Sequence, residues 1–356
     1  MKPRARSAAQ ARAISGSIRT VSTVVLFILA AGVAQANPTL IAPDSARRGD
    51  AFSILVHASE PATAAEVQLR NPGGKVVLDV PGFRIRVTRD VEIWAACLAV
   101  DSTAPMGNYS VRVILTPANK AGSDSTLATE IRVVDRPFVH EQIPLNAALT
   151  DLRATPDPRK TAEAEQILAL LARHDLGGQF WFGRLSMPVL EAVVTSHFGD
   201  RRRYLYSSGE VSAAIHYGID LALPTGSPVR SDANGLVVFA GPLIVSGNTV
   251  VVEHLPGVYS LYYHLSEIVV RKGDRLETGQ LVGAVGMTGL ATGPHLHWEV
   301  RVDGVPVEPN SLLAQPLVDK ERIFAKIFSE HVPLRPETGT VDETRKTAED
   351  ASAVIL

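Results

Sequence analysis

Thr292-Gly293-Pro294-His295-Leu296-His297-Trp298-Glu299-Val300 turns at its glycine and then reads as a strand from which both imidazoles leave on one side. At a rise of about 3.3 Å per residue their Cα atoms lie about 7 Å apart. Upstream, His216-Tyr217-Gly218-Ile219-Asp220 holds a glycine and is followed by Pro224, which argues for strand or turn over helix. On such an extended backbone positions 216 and 220 also share a face. Six of the ten histidines fall within residues 186–313, and His264, in Tyr262-Tyr263-His264-Leu265, lies between the two motifs. The surrounding texture is β: residues 237–239, 249–252 and 259–263 read as successive strands, with turns at Gly273-Asp274, Gly279-Gln280 and Asp303-Gly304.

Working outward, residues 51–134 offer seven short strand-like runs separated by Gly, Pro, Asn or Asp. Phe83, Ile85 and Val87 alternate with Arg84, Arg86 and Thr88, and Tyr109, Val111, Val113 and Leu115 repeat the period of two. This pattern predicts an immunoglobulin-like β-sandwich. Between the two β regions one helix is expected, with Asp157 as N-cap, Pro158 in the first turn, Ile167, Leu168, Leu170 and Leu171 as its apolar stripe, and Gly177-Gly178 as its end. His174 there is read as a partner of the helix C-terminus. After Pro316 a short amphipathic helix carries Ile323, Phe324, Ile327 and Phe328, and the tail beyond Pro333 is polar.

The N-terminus reads as an export signal. Lys2, Arg4, Arg6, Arg12 and Arg19 precede an apolar run over 21–33, and Ala34-Gln35-Ala36 supplies small residues for cleavage before Asn37. That run is shorter than the roughly 20 residues of a membrane span, so no stable span is expected after cleavage. Removing those five cations from a formal charge of −2 leaves about −7, which disfavours nucleic acid as a partner. The single cysteine, Cys97, excludes an intrachain disulfide and reads as a small buried apolar residue. The expected organisation is a signal peptide over 1–36, a sandwich over 37–136, a helical connector over 137–185, an antiparallel β domain over 186–315, and a short helix with a polar tail over 316–356.

The histidine constellation carries the chemistry. A catalytic zinc takes three protein ligands and leaves a position for water, and His216, Asp220 and one histidine of the 295/297 pair meet that count. Water on such an ion can ionise near pH 7. No H-E-x-x-H glutamate is present, so the spare histidine of the pair and His264 are the candidates for moving the proton and steadying the oxyanion. The glycines at 283, 286, 289 and 293 are read as structural turns, since no Gly-Lys-Ser/Thr follows them. His254 is read as a turn-stabilising residue and His197 as structural.

At Thr195-Ser196-His197-Phe198-Gly199-Asp200-Arg201, at residues 216–228, at 262–265 and at the opening stretch, the sequence resembles the lysostaphin/LytM-type zinc metallopeptidases that cut peptidoglycan peptides. The resemblance covers residues 195–309. It implies zinc ligands His216, Asp220 and His297, catalytic non-ligand histidines His264 and His295, and a mainly antiparallel β fold with a groove for an extended peptide. It further implies an exported enzyme of the periplasm or cell envelope, acting on peptidoglycan peptide stems, with the D,D crosslink preferred. A monomer is expected, with a protein activator as a further partner. N-terminal modules in this family position or occlude the groove, which makes the sandwich and the helix after Asp157 candidate covers. The segment from Tyr204 to Ile215 differs from the shorter loop of the glycyl-glycine-cutting members. The rival reading is a noncatalytic envelope factor that binds peptidoglycan or activates a cell-wall amidase.

Overall fold

A computed structural model describes residues 38–86, 92–119 and 122–329. The expected signal peptide, its cleavage before Asn37, Val87 and the polar tail lie outside the described residues, as do the side chains of Ile327 and Phe328. Among the described residues, no helix is long and apolar enough to cross a membrane.

The N-terminal strands are β1 (Thr39–Ile41), β2 (Ser45–Arg47), β3 (Ala51–His57), β4 (Ala62–Arg70), β5 (Val76–Pro81), β6 (Phe83–Arg86), β7 (Glu92–Ala99), β8 (Gly107–Pro117) and β9 (Ser125–Val134). They form two sheets, in the orders β1-β3-β7-β6 and β2-β9-β8-β4-β5. The two sheets pack face to face as a β-sandwich. Alternation explains the core: Val67, Leu69, Tyr109, Val111, Val113 and Ile131 of one sheet meet Ile54, Val56, Ala96 and Leu98 of the other. The Tyr109 hydroxyl donates back to the Pro105 carbonyl at 2.9 Å, a tyrosine-corner bond that fixes the loop into β8. Cys97 is buried, and burial pushes its thiol up to about 12.

The connector departs from expectation in three ways. Its strand β10 (His140–Pro144) precedes two helices rather than one, α1 (Ala147–Ala154) and α2 (Pro158–Leu171). Asn146 caps α1 by accepting from Leu149 N at 2.9 Å, and Asp157 caps α2 as the sequence indicates. Helix α2 ends at Leu171, six residues before the Gly177-Gly178 pair, because Ala172 and Arg173 close the last turn on Leu168 and Leu170. Nor does His174 serve the helix terminus: its Nε2 lies 3.1 Å from Asp303 Oδ1.

The C-terminal half contains β11 (Val193–Ser196), β12 (Arg201–Leu205), β13 (Val211–Ile215), β14 (Ile219–Ala222), β15 (Pro228–Arg230), β16 (Gly235–Leu243), β17 (Gly247–Leu255), β18 (Val258–Leu265), β19 (Glu267–Ile268), β20 (Arg275–Leu276), β21 (Leu281–Ala284), β22 (His295–Val302) and β23 (Val305–Val307). Its main sheet runs β11-β14-β22-β18-β17-β16-β20, all antiparallel, with β23 also on β22. Asp303-Gly304, at φ of 52° and 72°, make the two-residue hairpin between β22 and β23, the conformation that right-twisted strands require. The Tyr204–Ile215 insert folds as a hairpin of β12 and β13, and β10 joins it in parallel. Helix α2 lies on the main sheet, where Leu171 packs with Val251, Tyr259 and Leu261. Helices α3 (Pro309–Ala314) and α4 (Lys320–Ser329) follow.

The sandwich and the main sheet share one hydrophobic cluster. Leu55, Phe83, Ile85 and Ile93 belong to the same buried group as Trp181, Leu296, Val302 and Leu312. Arg136 tightens this junction by donating to Arg48 O at 2.9 Å and Glu308 Oε2 at 3.0 Å and by pairing with Asp50.

Candidate metal centre

Strand β22 places the site by simple alternation. Leu296, Trp298, Val300 and Val302 are buried in the core, so His295, His297, Glu299 and Arg301 emerge together on the other face. Antiparallel register sets Asp220 of β14 directly beside His297, with Ser196 of β11 beyond Asp220 and Tyr263 of β18 on the far side of His297. His216 reaches the row from the loop before β14. Gly218 allows that loop to lie against β22, since a Cβ there would sit 2.3 Å from the Trp298 carbonyl oxygen.

Three donor atoms converge. His216 Nε2 lies 3.0 Å from Asp220 Oδ1 and 2.9 Å from His297 Nδ1, and His297 Nδ1 lies 2.7 Å from Asp220 Oδ1. All three residues are buried. A tetrahedral zinc about 2.0–2.1 Å from each atom would hold them roughly 3.3 Å apart, so the set needs only a few tenths of an ångström of opening. Two nitrogens and one carboxylate oxygen, flanking a groove, suit a divalent ion with a position left for water.

The surroundings hold each donor in place. His216 Nδ1 lies 2.8 Å from the His197 carbonyl oxygen, so His197 contributes its backbone, in keeping with a structural role. His297 Nε2 lies 2.9 Å from Glu299 Oε1, and Arg301 pairs with Glu299 at 2.6 Å. Arg202 donates to Asp220 Oδ2 at 2.5 Å and to Glu141 Oε2 at 3.1 Å. Ser196 also donates to Glu141, at 2.9 Å. Glu299, Arg202, Glu141 and Tyr263, whose ring stacks on His297 at 5.3 Å and 2°, were not singled out from sequence. For Glu299 the signal was present, because it shares the period-two face of the histidine pair.

Charge follows from these contacts. Burial opposes a proton on His297, but the carboxylates of Asp220 and Glu299 on either side outweigh it and lift the ring to about 9. Burial likewise would raise Asp220, yet hydrogen bonds from His216 and His297 hold it well below the usual carboxylate range. His216 is lowered, chiefly by burial. A cation among the three would take the place of the proton that His297 holds.

His264 and His295 stand beside the triad. His264 Nδ1 meets the Thr288 carbonyl at 2.8 Å and His295 Nδ1 that of Gly293 at 2.8 Å, which makes Nδ1 the protonated nitrogen of each neutral ring and leaves Nε2 an acceptor. Their ring centroids are 4.8 Å apart. Burial, then His295 and His297, push His264 down to about 3, and burial lowers His295. His264 also sits at φ 60°, an unusual conformation for a residue with a side chain. The groove beside these rings measures about 400 Å³. Its outer wall includes Ile143 and Leu145 around β10 and Arg153 of α1, whereas neither the sandwich nor α2 supplies a lining residue. The expected cover by the helix after Asp157 is therefore not found, because α2 packs on the main sheet instead.

His254 is separate. It is fully buried, with Nδ1 2.8 Å from Asn234 O and Nε2 2.9 Å from Ser260 Oγ, next to Asp232, which accepts from Tyr262 and Trp298. It holds a buried polar network that includes the bend at 232–234 before β16.

Known proteins resemble this chain in the same region. The sequence model of peptidase family M23 matches residues 214–309. The DD-carboxypeptidase/endopeptidase Mpg of Neisseria meningitidis is 40% identical over 125 residues, which are 35% of this chain and 28% of that protein. The peptidoglycan DD-endopeptidase ShyA of Vibrio cholerae is 40% identical over 114 residues, 32% of this chain and 26% of that protein. The matched stretch thus spans little more than a quarter of these relatives' length. A Pseudomonas aeruginosa crystal structure described as a peptidase M23 shares the fold, with a TM-score of 0.51 at 22% identity over 75% of this chain and 93% of that one. The strand that carries the histidine pair, the loop that carries His216 and the strands β14, β22 and β18 all fall inside the matched stretch, and residues 214–309 accordingly form a peptidase family M23 domain of the LytM/lysostaphin type.

Proposed function

We propose that the chain is an exported, zinc-dependent endopeptidase of the cell envelope that hydrolyses peptide crosslinks of bacterial peptidoglycan, the D,D bond being the preferred target. In this reading His216, Asp220 and His297 are the ligands, and His264 and His295 are the catalytic residues. The observation that carries it is the convergence of His216 Nε2, Asp220 Oδ1 and His297 Nδ1 within 2.7–3.0 Å of one another, beside two imidazoles whose Nε2 atoms are unclaimed by the backbone. The names of the relatives, DD-endopeptidase among them, supply the substrate class. The division into a sandwich, a connector and a peptidase domain, with boundaries near 136 and 186, belongs to the same proposal.

Zinc bound at the three donors would supply the Lewis acidity that lets a water ionise near neutral pH. The chain's residues do the rest. Arg202 and Glu299 hold the far sides of Asp220 and His297, so the donors keep their aim. His264 and His295 stay neutral because they are buried, and so each can accept a proton at Nε2. One takes the proton as water adds to the scissile carbonyl. That proton then goes to the departing amine nitrogen, and a protonated imidazole can also hydrogen-bond the oxyanion.

The test is digestion of purified sacculi by the zinc-loaded full chain, followed by mass analysis of the products. Cleavage of crosslinked dimers into monomers is expected, and His295→Ala should slow it by about 10²–10⁴-fold. A protein that binds one zinc and cuts no crosslink would defeat the proposal in favour of a noncatalytic envelope factor.

A further inference from the structure

One wall of the groove comes from outside the M23 match. Arg153, in the last turn of α1, lines the groove together with Leu145 and Tyr204. Its guanidinium lies over the Tyr204 ring, with Cζ 4.0 Å from the centroid. Its Nε is buried and has no hydrogen-bond partner. The other arginine on this groove, Arg202, is engaged by Asp220 and Glu141. Arg153 therefore brings an uncommitted cation to a cavity in which the acids Asp220 and Glu299 already have their own partners.

We infer that Arg153 binds a carboxylate of the peptide substrate and so fixes the register of the peptide along the groove, an inference that rests on the peptidase reading above. A guanidinium has five donors in a planar fork and no acceptor, and its matched ligand is a carboxylate held by two parallel N–H bonds. The ring of Tyr204 holds that fork in place before any ligand arrives, which reduces the ordering required on binding. Peptidoglycan stems carry free carboxylates near their crosslinks, whereas a neutral peptide would leave the cation unpaired. Arg153 is thus a specificity residue provided by the connector.

The experiment uses two probes: a crosslinked peptide dimer released from sacculi, and the same dimer after carbodiimide-driven amidation of its carboxyl groups. Binding of each to the zinc-free full chain is measured by calorimetry, so that cleavage plays no part. The wild type should bind the carboxylate form roughly tenfold more tightly, and Arg153→Met should bring the ratio close to one. Arg153→Lys, which keeps the charge without the fork, should fall between them. Equal binding of the two probes by the wild type, or an unchanged ratio in Arg153→Met with the Arg153→Lys ratio also unchanged, would overturn the inference. Cleavage by the zinc-loaded wild type is scored in parallel. Its absence with the binding ratio intact would refute the peptidase reading and leave Arg153 as a carboxylate site.

Discussion

Gly218→Ala isolates the geometric basis of the site with one methyl group. The added Cβ would lie 2.3 Å from the Trp298 carbonyl oxygen and 2.9 Å from Glu299 Cγ. That is about 1 Å short of ordinary contact, and the nearest obstacle is backbone that cannot swing aside. The loop must therefore lift from β22 by about that amount, at a cost of about 1–3 kcal/mol in stability. His216 rides on the lifted loop, while Asp220, in β14, stays paired with His297 of β22. The His216 donor, now 2.9–3.0 Å from the other two, would separate from them well beyond the few tenths of an ångström that zinc accommodates. A loss of about 3 kcal/mol in coordination weakens zinc roughly a hundredfold. Competition against a chromophoric chelator reads the affinity, and urea denaturation of the zinc-free protein reads the stability. If Gly218→Ala held zinc within threefold of the wild type, the claim that this glycine sets the donor spacing would be wrong.

Two further outcomes follow from the electrostatics. Arg202→Met leaves Asp220 and Glu141 facing each other without their shared cation. The Arg202 side chain is only 12% exposed, so a loss somewhat below the 3–5 kcal/mol of a fully buried pair is expected in urea denaturation. The double change with Glu141→Gln should recover part of that loss, and strict additivity of the two would count against the pairing. His264 is held near 3 when folded and titrates near 6.5 when unfolded, so between those values the unfolded chain binds the extra proton. Stability should therefore fall by a few kcal/mol as pH drops from about 6.5 toward 3. His264→Gln should flatten that slope in the zinc-free protein, and an equally steep slope in the variant would dismiss the assignment.

Much of this site was legible because strands announce their faces. In β22 the apolar Leu296, Trp298 and Val300 identify the core side, which fixes where His295 and His297 point. Gly218 marks the loop that brings His216 beside Asp220. Arg202 was hidden for a physical reason: it stands among Arg201, Arg202 and Arg203, and only the pairing of β12 with β10 decides which of them turns inward. That pairing is parallel and joins residues 61 apart, so no local pattern encodes it. The two non-inward neighbours behave differently, with Arg201 reaching Ser102 O at 2.8 Å across the sandwich junction. Helix α1 is short and has no buried residue, so it lacks the apolar stripe that exposed α2. Its cap, Asn146, was readable in principle.

Because Leu55, Phe83, Ile85 and Ile93 pack into the same cluster as Trp181, Leu296, Val302 and Leu312, the front and rear of the chain are not separable cassettes. A shortened protein starting near residue 186 would bare a greasy scar where those partners had been. Slow turnover from such a truncation would then report damage to the scaffold, and questions about restraint of the groove are better put to single side chains in the intact molecule.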